Sequence, residues 1–374
     1  MHFKNQEEFN VCLSEALAGN RLDQARLKEA ITSDQLAPMF VSAANVRFED
    51  VYKNTETLWD KIAQRELLND FRPAAFMSLE SDITSLPVDN GGFKAVEGTL
   101  PHIPELTPYP TMKYTANGRF IETGKHGARV QFSFEAFVND EWNIIERFPA
   151  DAGELAARTE DLLVLLQLFN PATKTLRTDV FDTGNDTLLD LSKVPDQIKG
   201  EATGTAGAVP LSLGAITAAR YQALNTVRNG RYVTVPNGFV LLAAPGLAEV
   251  AKDYTRITEV RRTVGKETYI TANPIKDIEV VSSDLVGLVG GSKAWVLLPK
   301  GGKTSAKTTL VKTGLRGHEN PELRVHNATG QLLGGGSVDY REGSFDNDDA
   351  EIRIRQIAGA GIVNYDGIVG SNGA

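Results

Sequence analysis

Five prolines, Pro87, Pro101, Pro104, Pro108 and Pro110, and the turn sequence Asp89-Asn90-Gly91-Gly92 fall between Pro73 and about Gly124. Each proline fixes φ and removes a backbone donor, so this stretch is incompatible with an interior sheet. The apolar pieces between the prolines, such as FKAVEG and MKYTANGRFIET, are short. The stretch therefore reads as an extended excursion or a long hairpin. At roughly fifty residues it far exceeds the median connection of about 4–6 residues, and such lengths belong to functional loops or partner surfaces.

Composition limits what can surround that excursion. With 374 residues the chain is long enough for two domains, or for one discontinuous domain with a large insertion. A hydrophobic fraction of 41% against 23% charged residues is ordinary for a globular protein, so disorder is not the default. The net charge of −9 disfavours a general nucleic-acid binder. The single cysteine, Cys12, excludes an intrachain disulfide and fits a reducing compartment. No run approaches the ~20 apolar residues of a membrane helix, and the opening MHFKNQEEFNV lacks the apolar centre of a signal peptide. The expectation is a soluble, acidic, cytosolic protein that does not use a membrane.

Periodicity places helices and strands around the excursion. Residues 5–31 read as a helix broken near Gly19-Asn20, and TLWDKIAQRELLNDF (57–71) as a second, with Thr57 as N-cap and Trp59, Ile62, Ala63 and Leu67 on one face. Val130, Phe132 and Phe134 alternate like a strand, while the residues from Ser133 to Asp140 fit a strand or a short helix. The clearest helix spans 150–169, opening after Pro149 with Asp151 and Glu154 at its positive end and stopping at Asn170-Pro171. Its expected buried face is Ala152, Leu155, Thr159, Leu162, Leu166 and Phe169. About twenty residues at 1.5 Å each give roughly 30 Å, enough to be a domain's backbone. GEATGTAGAVPLSLG (200–214) reads as a boundary, followed by a helix in LGAITAARYQALNTV. Next come a strand, a Pro-Asn-Gly turn, a buried strand and a helix led by Pro245-Gly246. DIEVVSSDLVG and KAWVLLPKG supply further buried strands, which makes residues 210–335 an α+β or α/β core. The chain closes on an acidic turn and a long strand, with Ile352 and Ile354 on one side and Glu351, Arg353 and Arg355 on the other.

Catalytic and cofactor patterns do not emerge. GGKTS (301–305) lacks the earlier glycine and the strand–loop–helix context of a phosphate loop, and neither GxGxxG nor HExxH occurs. One cysteine excludes a thiolate zinc site, and His2, His102, His126, His318 and His326 are scattered, which reads as surface histidines. DNDD (346–349) lacks the spacing of a calcium loop and reads as an acidic turn. KGGKTSAKTTLVKTGLRGH has Lys300, Lys303, Lys307, Lys312 and Arg316 without an acid, and reads as a solvated strand pair. No cofactor and no enzymatic role are expected. A helical arm without its own core, a long Pro-marked excursion and a terminal strand poor in side-chain bulk all gain by packing on other subunits. They point to an assembly protein.

Several pieces, in order, carry a resemblance. LLNDFRPAAFMSLES, GRFIETGKHGARVQFSFEAFVND, FPADAGELAARTEDLLVLLQL, VPNGFVLLAAPGLAEVAKDY, NPIKDIEVVSSDLVG with KAWVLLPKG, and DDAEIRIRQIAGAGIVNYDGIVGSNGA resemble segments of tailed-phage major capsid proteins. These proteins share the Hong Kong 97-type fold, and the Mu-like head subunits are the branch this chain most resembles. The resemblance implies an α+β fold divided into a helical arm (1–72), an extended loop (73–125), a peripheral domain (126–205 and 335–374) with a spine helix at 150–169, and an axial domain (206–334). It implies hexamers and pentamers of an icosahedral shell around packaged DNA, held without sequence-specific binding and assembled in the host bacterial cytoplasm. Scaffold, maturation protease and portal proteins are the implied partners, and the short 1–40 segment outside the match points to a separate scaffold. Candidate structural or interface residues are Leu155, Leu162, Leu166 and Phe169 of the spine, Trp59, Ile352 and Ile354, with Lys94 and Lys113 in the extended loop. Some relatives crosslink a lysine of that loop to an asparagine of another subunit, but no motif assigns Lys94 or Lys113 that role and both read as solvated. The other readings are an encapsulin-like shell enclosing proteins and, more distantly, a cytosolic α+β enzyme.

Overall fold

The structure, a computed structural model, describes residues 36–82, 89–90, 93–94, 103, 105–109, 111, 113–133, 144–228, 231–233, 235, 238–264, 267–300, 309–326 and 349–373. The helix expected at 5–31 lies outside these residues. The architecture is α+β, and the chain separates into two compact units.

The first unit takes residues up to 56, 124–159 and 317–357. Helix α1 (Leu36–Asn54) packs on the start of the long helix α3 (Ile144–Leu168). The DAGELAA sequence explains that approach, because Phe48 lies fully buried against Ala152 and Ala156. A Cβ on Gly153 would stand 2.8 Å from the Phe48 carbonyl oxygen, so only glycine lets the two helices come this close. Strands β6 (Gly124–Ser133), β17 (Glu322–Val325) and the first part of β18 (Asp349–Ile362) cover the same core. In the antiparallel β17–β18 register Leu323 faces Ile354 and Val325 faces Ile352. Leu323, Ile352 and Ile354 are buried while Arg324 and Arg353 are exposed, the alternation expected of a strand with one wet face. Phe132 meets Phe148 edge-to-face with ring centroids 5.5 Å apart.

The second unit takes residues 57–123, 160–316 and 358–374. Its centre is a four-stranded sheet in the order β14 (Glu279–Ser282), β11 (Phe239–Ala243), β15 (Trp295–Pro299), β19 (Val369–Ser371). All five residues of β11 are buried, and the two sides of the sheet feed different cores. Val240, Leu242, Val296 and Leu298 pack with Val164, Leu165 and Leu168 from the end of α3, with Phe169 just after it, and with Leu285, Val286 and Val289 of α6 (Asp284–Gly290). Phe239, Leu241, Trp295 and Leu297 pack with Ala215, Ile216 and Ala219 of α4 (Leu213–Asn225) and with Ala248 and Ala251 of α5 (Pro245–Arg256). A strand covered on both faces reads as a continuous apolar run, and FVLLA and WVLLP are such runs. The expected helix boundaries have identifiable caps. Ser212 Oγ accepts from Ala215 N at 3.1 Å, Ser283 Oγ accepts from Leu285 N at 3.3 Å, and Pro245 stands at the first position of α5.

Four expectations are corrected. The helix read at 57–71 is a single turn, α2 (Trp59–Ile62), followed by strand β1 (Gln64–Leu68), which pairs in parallel with β16 (Leu310–Leu315) from Gln64↔Val311 to Leu68↔Leu315. QRELL fits either period, and pairing with a buried strand decides it. The N-cap is not Thr57: the residue ahead of α2 is Leu58, and it makes no side-chain cap bond. Helix α3 begins at Ile144, ahead of Pro149, which it accommodates near its start. Finally, the Lys/Thr-rich piece read as solvated contains β16, whose six residues are all buried, Lys312 included.

The glycine-rich tail explains itself in this unit. β18 pairs with β16 from Leu310↔Ile362 to Gly314↔Ala358. A Cβ on Gly359 would lie 2.3 Å from the Glu122 carbonyl oxygen and 2.6 Å from Thr313 Oγ1, so the missing side chain is what admits the neighbouring chain. We expect Gly359→Val to lower the melting temperature markedly, at a cost of about 1–3 kcal/mol or more from overpacking. Gly246→Ala, where nothing lies within 4 Å, should be neutral or stabilising in the same thermal scan.

Candidate functional site

Lys312 is the least expected side chain of the molecule. It projects from the middle of β16 with its side chain 4% exposed and forms an ion pair with Glu160 of α3, itself 3% exposed. The ammonium also lies 4.0 Å from the centroid of the Trp59 ring, so one cation meets a carboxylate and an aromatic face together. The next residue of α3, buried Asp161, accepts the backbone N–H of Trp59 at 2.9 Å and so caps α2 from another part of the chain. Burial pushes the Lys312 ammonium below its ordinary range, opposed by the Glu160 charge. Burial pushes the Asp161 carboxyl up, opposed by the backbone N–H groups of Leu58 and Trp59. The desolvation cost is offset only while all partners are present. The cluster thus pins together α2, α3 and β16, three segments distant in sequence.

The Pro-marked excursion is a hairpin. Strands β2 (Ala74–Asp82) and β5 (Lys113–Ile121) pair antiparallel over nine residues, from Ala74↔Ile121 to Asp82↔Lys113. At about 3.4 Å per residue this ribbon is roughly 30 Å long. Farther out, β3 (Asp89–Asn90) pairs with β4 (Phe93–Lys94). Among the described residues neither ribbon has a third strand. The base, by contrast, is anchored. Ile121 is buried, Thr123 Oγ1 bonds Thr313 Oγ1 at 2.9 Å, and the Arg119 guanidinium lies 4.2 Å from the Tyr365 ring centroid and donates to its hydroxyl. Tyr365 in turn donates to the Asp179 carbonyl oxygen at 3.2 Å. Phe120, Leu106 and Tyr109 are exposed, Leu106 completely. A two-stranded ribbon with exposed apolar groups is marginal alone and gains by lying on another surface.

The residues singled out from the sequence distribute as follows. Trp59 belongs to the buried ion-pair cluster. Phe169 is fully buried, and Leu162 and Leu166 pack at the margin of the same core. Leu155 is 53% exposed, because the buried stripe of α3 runs instead through Ala152, Ala156, Glu160, Val164 and Leu168. Ile352 and Ile354 lie in the first unit's core. Lys94 stands opposite Asp89 and Lys113 opposite Asp82 in the hairpin registers. Among the described residues no group of three His, Cys, Asp or Glu side chains is placed to hold a metal ion, and no helix is long and apolar enough to cross a membrane.

The hairpin is thus a two-stranded ribbon anchored at its base, with no third strand among the described residues. The chain belongs to the phage capsid protein family, which matches residues 117–371. It is a capsid shell protein of a virion, and its order of elements is α+β, with a long hairpin before a long helix. No curated protein matches the chain. Among solved structures it is similar to the capsid of the cyanophage P-SCSP1u, at 11% identity and TM-score 0.45 over 85% of this chain and 88% of that one. It is also similar to a virus-like particle from Pyrococcus furiosus, at 11% identity and TM-score 0.42, covering 89% and 99%. The SrpI encapsulin from Synechococcus elongatus PCC 7942 is similar at 12% identity and TM-score 0.38, covering 83% and 85%.

Removing one partner of the buried pair should cost far more than removing both. We expect Lys312→Met to destabilise the chain by about 3–5 kcal/mol, since it strands the Glu160 carboxylate in the core. Lys312→Met combined with Glu160→Leu should recover most of that loss, as read by denaturant unfolding of the full-length chain.

Proposed function

We propose that this chain is the major head subunit of a tailed phage, forming hexamers and pentamers of an icosahedral shell that encloses DNA. The observation that carries the reading is the long hairpin, rigidly anchored at its base and unpartnered along its length among the described residues. In an assembled shell it lies across a neighbouring copy, with Lys94, Lys113 and the exposed Leu106 and Tyr109 in the contact region. Each such contact is modest, and closed symmetry multiplies it over many copies. Residues 206–334 serve as the axial part at the capsomer centre, and residues 126–205 with 335–374 as the peripheral part. Trp59, Leu162, Leu166, Phe169, Ile352 and Ile354 serve the subunit's rigidity, while Leu155 is available to a neighbour.

The role is structural, without catalysis. Assembly takes place in the host bacterial cytoplasm and uses a separate scaffold, a maturation protease and a portal, with DNA enclosed without sequence-specific contacts. The net charge of −9 suits a wall that does not grip the genome during packaging. Placement in the Mu-like branch is supported by the sequence pieces alone.

Deleting residues 85–110 should leave a subunit that folds, with a melting temperature close to the native one, because the ribbon's anchors at Arg119, Ile121 and Thr123 remain. The same deletion should reduce sedimenting particles at least tenfold. Native particle yield from the shortened chain would contradict the role given to the hairpin.

A further inference from the structure

The Lys312–Glu160 pair holds an amine against a carboxyl group almost out of reach of solvent. Lys312 Nζ contacts Glu160 Oε2, and the two side chains are 4% and 3% exposed. The Glu160 carboxyl carbon is therefore one bond from the atom that the amine touches. The Trp59 ring covers the amine, with its centroid 4.0 Å away. Asp161, the next residue of α3, is buried beside them, and its Oδ1 is held by the backbone N–H of Trp59 at 2.9 Å. Across the parallel register Arg65 of β1 stands opposite Lys312 and adds a second positive charge next to it. An amine and two carboxyl groups are thus fixed in place by segments from α2, β1, α3 and β16.

This arrangement has a chemical way to shed its charge. In water an ammonium and a carboxylate are well solvated, and condensing them to an amide gains little. In the interior each ion carries a large desolvation penalty, which a neutral amide does not. Burial presses the Lys312 ammonium to release its proton and the Asp161 carboxyl to keep one, which favours a neutral amine beside a neutral acid. Fixed contact also removes the entropic barrier of bringing the reacting groups together. We infer that Lys312 and Glu160 condense after folding into an isopeptide bond within the chain, with Asp161 carrying the proton. The proton shared by the pair passes from Nζ to the Glu160 carboxyl, and the nitrogen lone pair attacks the carboxyl carbon. Asp161 gives its proton to the departing hydroxyl and takes one back from the nitrogen. The Nζ–Cδ bond forms, one Cδ–O bond breaks and one water leaves. Nothing is oxidised or reduced, and Asp161 ends as it began. The ion pair is the precursor, so a freshly folded chain contains the pair described above. The bond closes inside one subunit and joins no two copies, and the inference stands apart from the shell role.

The test is the mass of the native full-length chain, kept folded through a prolonged incubation and denatured only for measurement. The expected mass is about 18 Da, one water, below that of the sequence. Proteolysis followed by tandem mass spectrometry should recover a branched peptide that joins the Lys312 segment to the Glu160 segment. The closed 160–312 loop should also make the denatured chain run faster in a denaturing gel than Glu160→Ala. Asp161→Asn, whose amide oxygen can still accept the Trp59 N–H, should slow the loss of water about tenfold or more. A native chain that stays at the sequence mass, with Lys312 and Glu160 recovered in separate peptides, overturns the proposal. So does a dehydrated chain whose missing water maps to another site. An unchanged rate in Asp161→Asn overturns the part given to Asp161. Particle formation is read separately by sedimentation, so particles built from chains at the sequence mass sink only the isopeptide bond.

Discussion

The second unit depends on one buried ion pair. Lys312 and Glu160 come from the middle of a strand and the middle of the long helix, and Trp59 and Asp161 complete the cluster from the entry segment and the helix's next residue. Apolar packing supplies most of the driving force for folding, but it is indifferent to a small slide of a helix over a sheet. A buried charge with one acceptable partner is not indifferent, since a slide that separates the pair strands two charges in a low-dielectric interior. The cluster thus fixes where α3 lies relative to β16. β16 in turn carries the end of the terminal strand on one side and β1 on the other.

That fixed frame gives the hairpin its purpose. The hairpin leaves the unit beside β16, through the Thr123–Thr313 bond and the buried Ile121, and the Arg119–Tyr365 stack ties it to the terminal segment. A ribbon that cannot bury its own faces is held at one end by groups that cannot easily move. Such a design makes sense where the free surface is completed by another molecule, and under the proposed shell role that molecule is another copy. The glycines of the tail belong to the same arrangement. Gly359 sits where the chain leading out of the hairpin, at Glu122, passes over β18.

Much of this was legible in the residues, and the failures have a common cause. The proline spacing marked the hairpin within a few residues, and unbroken runs such as FVLLA and WVLLP marked strands covered on both faces. Pro245 and the Ile352/Ile354 alternation were equally plain, because each is a local signal of local geometry. Lys312 was misread because a lysine among lysines, threonines and glycines looks wet, and only its partner on a distant helix shows that it is dry. The stripe of α3 was misplaced for the same reason. Leucines drew it through Leu155, whereas the interior side consists of small alanines that admit α1 and of Glu160 and Asp161, which hydrophobicity excludes from a core. QRELL became a strand through pairing with β16, which local periodicity does not contain.

The central claim is that this subunit completes itself on its neighbours, and imaging of the native chain under assembly conditions tests it most directly. Cryo-electron microscopy of the purified full-length protein, alone and with its scaffold, should show closed shells in which the 74–121 hairpin of each copy lies on an adjacent copy. Monomers or small oligomers under every condition, or shells in which that hairpin contacts no other copy, would contradict the account.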